Sequence, residues 1–180
     1  MRYWQIGVAV LVIAIAAGVL LCRKKTAPEP EIDGGVQHRV DERAPKVITS
    51  EEVTYFHCKF STTDLPVDTS SVAGHIITLH AGEDGGLCEL RGYTEKTVNF
   101  LPDKEFFRQL QQIISKYDLA QYNGQYYTVS GLPPNLGMDL KILYASGEYI
   151  RASNNQSSFL PIEAMEELVT LFEHQNNGGL

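Results

Sequence analysis

Cysteine is scarce in this chain of 180 residues: there are three, and no two stand in a C-x-x-C spacing. That excludes the close thiol pair of redox catalysis. Zinc held through Cys58 and Cys88 would need two further ligands, and no H-x3-H spacing supplies them. No serine sits in a G-x-S-x-G elbow. No glycine-rich phosphate loop is present either, because Gly82-Glu83-Asp84-Gly85-Gly86 is acidic and lacks a following lysine or helix start. No cofactor is expected. Basic residues are scarce as well. Beyond residue 25, 11 Lys and Arg stand against all 22 acidic residues, a net charge of about −11. Nucleic acid, which needs clustered Lys and Arg, is excluded as a partner. The same balance argues against a domain lying flat on anionic lipid. It suits cationic partners, or simple solubility.

What the chain does have is one long apolar run. Tyr3 to Cys22 carries a single polar side chain, Gln5, and no charge. As a helix it would reach about 30 Å, the thickness of a bilayer's hydrocarbon core. Tyr3 and Trp4 suit one interface, and Arg23, Lys24 and Lys25 the other. Residues 1–25 are therefore read as a transmembrane anchor. Ala14-Ile15-Ala16 fits a signal-peptide cleavage rule, but the apolar run continues past it. Leu21 is too large to precede a lipidated cysteine at Cys22. The basic flank favours a cytoplasmic C-terminal side. A short flank before a long apolar helix has the shape of a signal anchor and favours the opposite. The expectation is a single-pass membrane protein with its C-terminal domain outside the cytoplasm.

Residues 26–50 read as a flexible linker, with Pro28, Pro30, Pro45 and the Gly34-Gly35 pair among few large apolar groups. Residues 51–175 have regular apolar periodicity and enough length for one core. Residues 176–180 read as a disordered tail. Alternation predicts strands over 53–61, 74–81 and 87–98, a short strand over 126–130, and a hairpin of 140–144 with 148–152. Three- and four-residue spacing predicts helices over 102–118 and 161–174. The fold class is α+β: an antiparallel sheet with two amphipathic helices on one face. Phe100-Leu101-Pro102 recurs as Phe159-Leu160-Pro161, 59 residues later. Alignment places Phe106 on Met165, Leu110 on Val169 and Ile113 on Phe172, which suggests two similar strand-then-helix halves.

Few residues carry chemistry. Cys58 and Cys88 fall on the inward faces of strands read as neighbours, so a disulfide is expected outside the cytosol. His75 and His80 point to opposite sides of one strand, and surface positions are expected for the histidines. Glu83, Asp84 and Glu89 lack the spacing of a calcium loop. Tyr122, Asn123, Tyr126 and Tyr127 gather in a Tyr-, Asn- and Gly-rich segment of the kind found at recognition surfaces. Arg151, Asn154 and Asn155 form a second candidate surface, with amides suited to a sugar or peptide. Asn155-Gln156-Ser157 is also a glycosylation acceptor pattern. The functional expectation is a tethered, non-catalytic binding module for a protein, peptide or glycan at the envelope. A membrane-tethered hydrolase and a structural subunit of a membrane complex are the competing classes.

Overall fold

The computed structural model describes residues 35–132 and 136–177. The apolar run over residues 3–22 lies outside them. Among the described residues no helix is long and apolar enough to cross a membrane. The architecture is α+β. A single mixed sheet of eight strands carries two helices. The strands are β1 (Val36–Val40), β2 (Val53–Ser61), β3 (His75–Gly82), β4 (Gly85–Gly92), β5 (Lys96–Phe100), β6 (Gln125–Val129), β7 (Met138–Tyr144) and β8 (Tyr149–Asn154). Their order across the sheet is β1-β6-β8-β7-β2-β3-β4-β5. The helices are α1 (Lys104–Lys116) and α2 (Ile162–Glu173).

Local sequence explains most of these elements. In β2 the alternation puts Phe56, Cys58 and Phe60 fully inside, while Tyr55, His57 and Lys59 stay half-exposed. Helix α1 starts where the Asp103 carboxylate accepts the Phe106 amide at 2.8 Å, an N-cap worth about 1 kcal/mol. Its apolar stripe buries Phe106, Leu110 and Ile114. Helix α2 buries Ala164, Met165, Leu168, Val169, Leu171 and Phe172. Both helices meet the same side of the sheet. The Phe172 ring lies 5.7 Å from that of Phe56 on β2, 5.7 Å from Phe100 on β5 and 5.0 Å from Phe106 on α1. Phe100 reaches this cluster because β4 has no side chain beneath it. A Cβ at Gly86 would stand 2.4 Å from the Phe100 ring.

Several expectations need correction. The sheet is mixed, because β6 runs parallel to β8. The chain leaves β6, skips one strand position to form β7, and fills the gap with the returning hairpin strand β8. Periodicity fixes faces, not order, so nothing local signals this. The predicted strand over 87–98 is two strands, broken at the turn after Gly92. A Cβ on Gly92 would lie 2.2 Å from the Gly74 carbonyl oxygen. Val36–Val40, within the stretch read as linker, pair with β6 as an edge strand. The following segment is fastened too. Lys46 donates to the carbonyls of Gln121 and Asn123, and Glu148 accepts from the Thr49 and Ser50 amides.

The two Phe-Leu-Pro copies open both helices, yet their surroundings differ. Leu101 is 87% exposed and Leu160 5%. Phe100 sits on Phe106, whereas Phe159 sits on Tyr122. The strand orders, 2-3-4-5 against 6-8-7, differ as well.

The expected Cys58–Cys88 disulfide is absent. Both thiols face the core, but Leu79 of β3 stands between them in register. Two strand spacings separate the backbones by about 9.6 Å, beyond the ~7 Å that a disulfide spans. Burial pushes the Cys88 thiol up to about 12, and burial also raises that of Cys58. Maleimide applied to the folded protein should therefore leave both thiols unmodified, and urea should release both for reaction. Recovery of a Cys58–Cys88 linked peptide under non-reducing conditions would contradict this arrangement.

Candidate functional site

Both helices cover one side, and among the described residues no helix covers the other side of the sheet. Alternation decides what stands there. Tyr55, His57 and Lys59 come from β2, with Ile76, Thr78 and His80 from β3. Leu87, Glu89 and Arg91 come from β4, with Asp139, Lys141 and Leu143 from β7. Strand β8 adds Tyr149, Arg151 and Ser153, and all fifteen of these side chains are half-exposed or exposed. At the β1 edge, Arg39 pairs in register with Tyr126 on the same side.

Cations and rings interlock across this face. The Lys141 ammonium lies 4.7 Å from the centre of the Tyr55 ring. The Arg151 guanidinium is 5.2 Å from the Tyr149 ring and that of Arg39 is 5.9 Å from the Tyr126 ring. Such contacts hold a long basic side chain in place at a cost of little entropy, each contributing about 0.5–1 kcal/mol at exposed sites. His57 and His80 stand side by side with ring centres 6.4 Å apart, and Tyr55 meets His80 edge-on at 5.2 Å. His80 donates from Nε2 to Asp84 Oδ1 at 2.9 Å. Burial lowers the pKa of His57; His80, Lys141 and Lys59 push it further down against Asp139.

The sequence-derived candidate residues are divided by the structure. Tyr126 and Arg151 lie on the open face. Asn123 is 0% exposed. Its amide donates to the Pro45 and Tyr149 carbonyls at 2.8 and 2.7 Å, and its Oδ1 accepts the Arg151 amide at 2.8 Å. It is a structural pin among three chain segments and presents nothing to a ligand. The Asn155 amide clasps Val129, taking its N–H at 2.8 Å and giving to its carbonyl at 2.8 Å. A glycan on that nitrogen would break the second bond. The Asn154 side chain accepts the Gln156 amide. Tyr122 rests on Phe159, and Tyr127 on His38. Tyr122, Tyr126, Tyr127 and Asn154 do border one cavity, of about 160 Å³. That is below the ~300 Å³ usual for a small-molecule site.

His75 departs from its expected surface position. It is buried, its Nδ1 donates to the Val72 carbonyl at 3.2 Å, and its Nε2 meets Thr94 Oγ1 at 2.9 Å. It fastens the loop before β3. Periodicity did place it opposite His80, and it is.

Asp84, Glu105, Glu148 and Glu167 all have lowered pKa values, held down chiefly by His80, Arg108, the Thr49 amide and Lys116. A general acid needs the opposite shift. Among the described residues no three His, Cys, Asp or Glu side chains converge as ligands for a metal ion. Two larger grooves, of about 940 Å³ between α1 and α2 and about 980 Å³ between α1 and Glu51–Val53, are lined mostly by Gln, Glu, Lys and Arg side chains. A comparison with protein-family models, curated proteins and solved structures finds no match to this chain.

Two measurements follow. Asn123→Ala strands two carbonyls and one amide, so it should cost about 2–4 kcal/mol of stability, read from urea unfolding by circular dichroism. A loss under 0.5 kcal/mol, about the size of an ordinary surface change, would contradict its role as a pin. His57 binds its proton more weakly folded than unfolded. The unfolded chain therefore takes up the extra proton as pH falls through about 6.5. Stability should drop from there towards the lower folded value and then level off. His57→Gln should remove that part of the pH dependence. Parallel profiles for the two proteins would rule it out.

Proposed function

We propose that this chain is a membrane-anchored binding module whose globular domain lies outside the cytoplasm and acts by recognition, without catalysis. The observation that carries the reading is the open face of the sheet. Among the described residues the eight strands are covered on one side only, and the bare side presents rings with cations fixed over them. A solvated second face is ordinary for a largely antiparallel sheet; what supports recognition is that this one carries Tyr rings with Arg and Lys over them, and Tyr and Arg are enriched where partners bind. The apolar run from Tyr3 to Cys22 supplies the anchor. A tether at a surface raises the local concentration of the module there, so modest contacts suffice.

The test of placement uses Ser146, exposed at the β7–β8 hairpin. A Ser146→Cys protein in intact cells should react with a membrane-impermeant maleimide beyond the wild-type background. Labelling that appears only after lysis would place the domain inside and overturn the reading.

A further inference from the structure

The charges of the domain are sorted between its two sides. Between residues 35 and 177 the sequence has 11 Lys and Arg against 19 Asp and Glu. Five of the 11, namely Arg39, Lys59, Arg91, Lys141 and Arg151, stand on the open face. Only Glu89 and Asp139 of the 19 share it, with Asp84 at the rim on His80. An acidic protein thus carries one basic face, which the total charge conceals.

The middle of that face holds an arrangement that costs stability. Arg151 stands directly opposite Lys141, Lys141 opposite His57, and His57 opposite His80. The row crosses four adjacent strands; its opposed like charges are Arg151 and Lys141, burial disfavours the charged form of His57, and the carboxylates beside the row are Asp84 on His80 and Asp139 next to Lys141. Like charges directly opposed on a sheet repel. Elsewhere the chain avoids this: Arg108 meets Glu105, Lys116 meets Glu167 and Lys96 meets Glu173. One acidic residue in the row would relieve the repulsion. An anion supplied from outside does so equally well.

We propose that this row binds an anionic polysaccharide, its carboxylates meeting Arg151 and Lys141. The inference rests on the binding-module reading and adds the chemistry of the partner. The neutral groups around the row favour a sugar polymer. Ser153, Thr78 and the Tyr149 hydroxyl flank the row, and Thr97 and Asn99 stand on the β5 edge of the same face, polar groups that match a hydroxyl-rich chain. A lipid surface is disfavoured, because binding there needs exposed apolar anchors beside the cations. The apolar side chains of the face itself, Ile76, Leu87 and Leu143, are only half-exposed, and the most exposed large apolar groups of the described residues, Leu101, Val47 and Tyr93, lie in loops outside the strands. Single-stranded nucleic acid stacks bases on bare rings. Here Tyr55, Tyr149 and Tyr126 each carry a cation above the ring.

The test uses the full chain in phosphatidylcholine nanodiscs, titrated with polygalacturonate at low salt. The wild type should bind, and binding should weaken steeply as salt rises. Lys141→Gln with Arg151→Gln should lose at least tenfold in affinity while keeping the wild-type circular dichroism spectrum and a cooperative thermal transition, because the two side chains stand outside the core. Lys104→Gln, on the helix side, should bind as wild type does. No polygalacturonate binding by the wild type overturns the inference, as does a double variant that binds normally. Binding of phosphatidylglycerol vesicles or single-stranded DNA in place of polygalacturonate overturns it in favour of those partners. A neutral dextran held equally tightly removes the anion and leaves the binding module standing. Release of reducing ends from polygalacturonate would instead overturn the binding-module reading itself.

Discussion

The Phe172 ring is the contact on which the rest of the domain depends. It joins Phe56 from the centre of the sheet, Phe100 from the far edge and Phe106 from the first helix. Rings met edge-on or tilted at about 5 Å gain more than area burial alone. Because the three partners come from three separate elements, the contact ties both helices to one side of one sheet. Its geometry needs Gly86, since only a bare backbone lets Phe100 cross β4 to reach the helices. Core packing at close to crystal density leaves no slack for an alternative.

That one-sided packing has a direct consequence for function. Once both helices occupy one side, the alternating residues of β2, β3, β4, β7 and β8 have nowhere to go but outward. Outward positions need no apolar side chain, so they are free to carry charge. The row Arg151–Lys141–His57–His80 uses that freedom, and the directly opposed pair Arg151 and Lys141 costs repulsion. The cation–ring contacts at Tyr55 and Tyr149 hold the same cations in place. On the proposed binding face, therefore, charge placement works against stability, whereas on the helix side Lys116 meets Glu167 and Arg108 meets Glu105.

Much of the framework was legible beforehand. Seven of the eight strands fall in segments marked by alternation, β4 and β5 reading as a single strand, and both helices are marked by their apolar stripes. Edge strand β1 lacked any such mark, because all five of its residues are exposed and its order comes from pairing with β6. The site was less legible. Tyr55, His57 and Lys59 read as outward-facing, yet nothing local said that Lys141 and Arg151 would come to lie beside them. Asn123 looked like a ligand-binding amide because Tyr and Gly surround it in sequence. Its three hydrogen bonds come instead from Pro45, Tyr149 and Arg151, which lie between 26 and 78 residues away.

The sequence by itself determined the faces. A period of two or of 3.6 residues is written in consecutive side chains, so it settles which residues turn inward and where each helix begins. It also determined the total charge and the apolar run near the N-terminus. Tertiary structure alone decided the neighbours. It set Leu79 between Cys58 and Cys88, slid β8 between β6 and β7, buried His75 and gathered five cations on one side. The reason is range. Alternation acts between adjacent residues, whereas strand order is fixed by packing among segments far apart in the chain, and no short stretch of sequence records it.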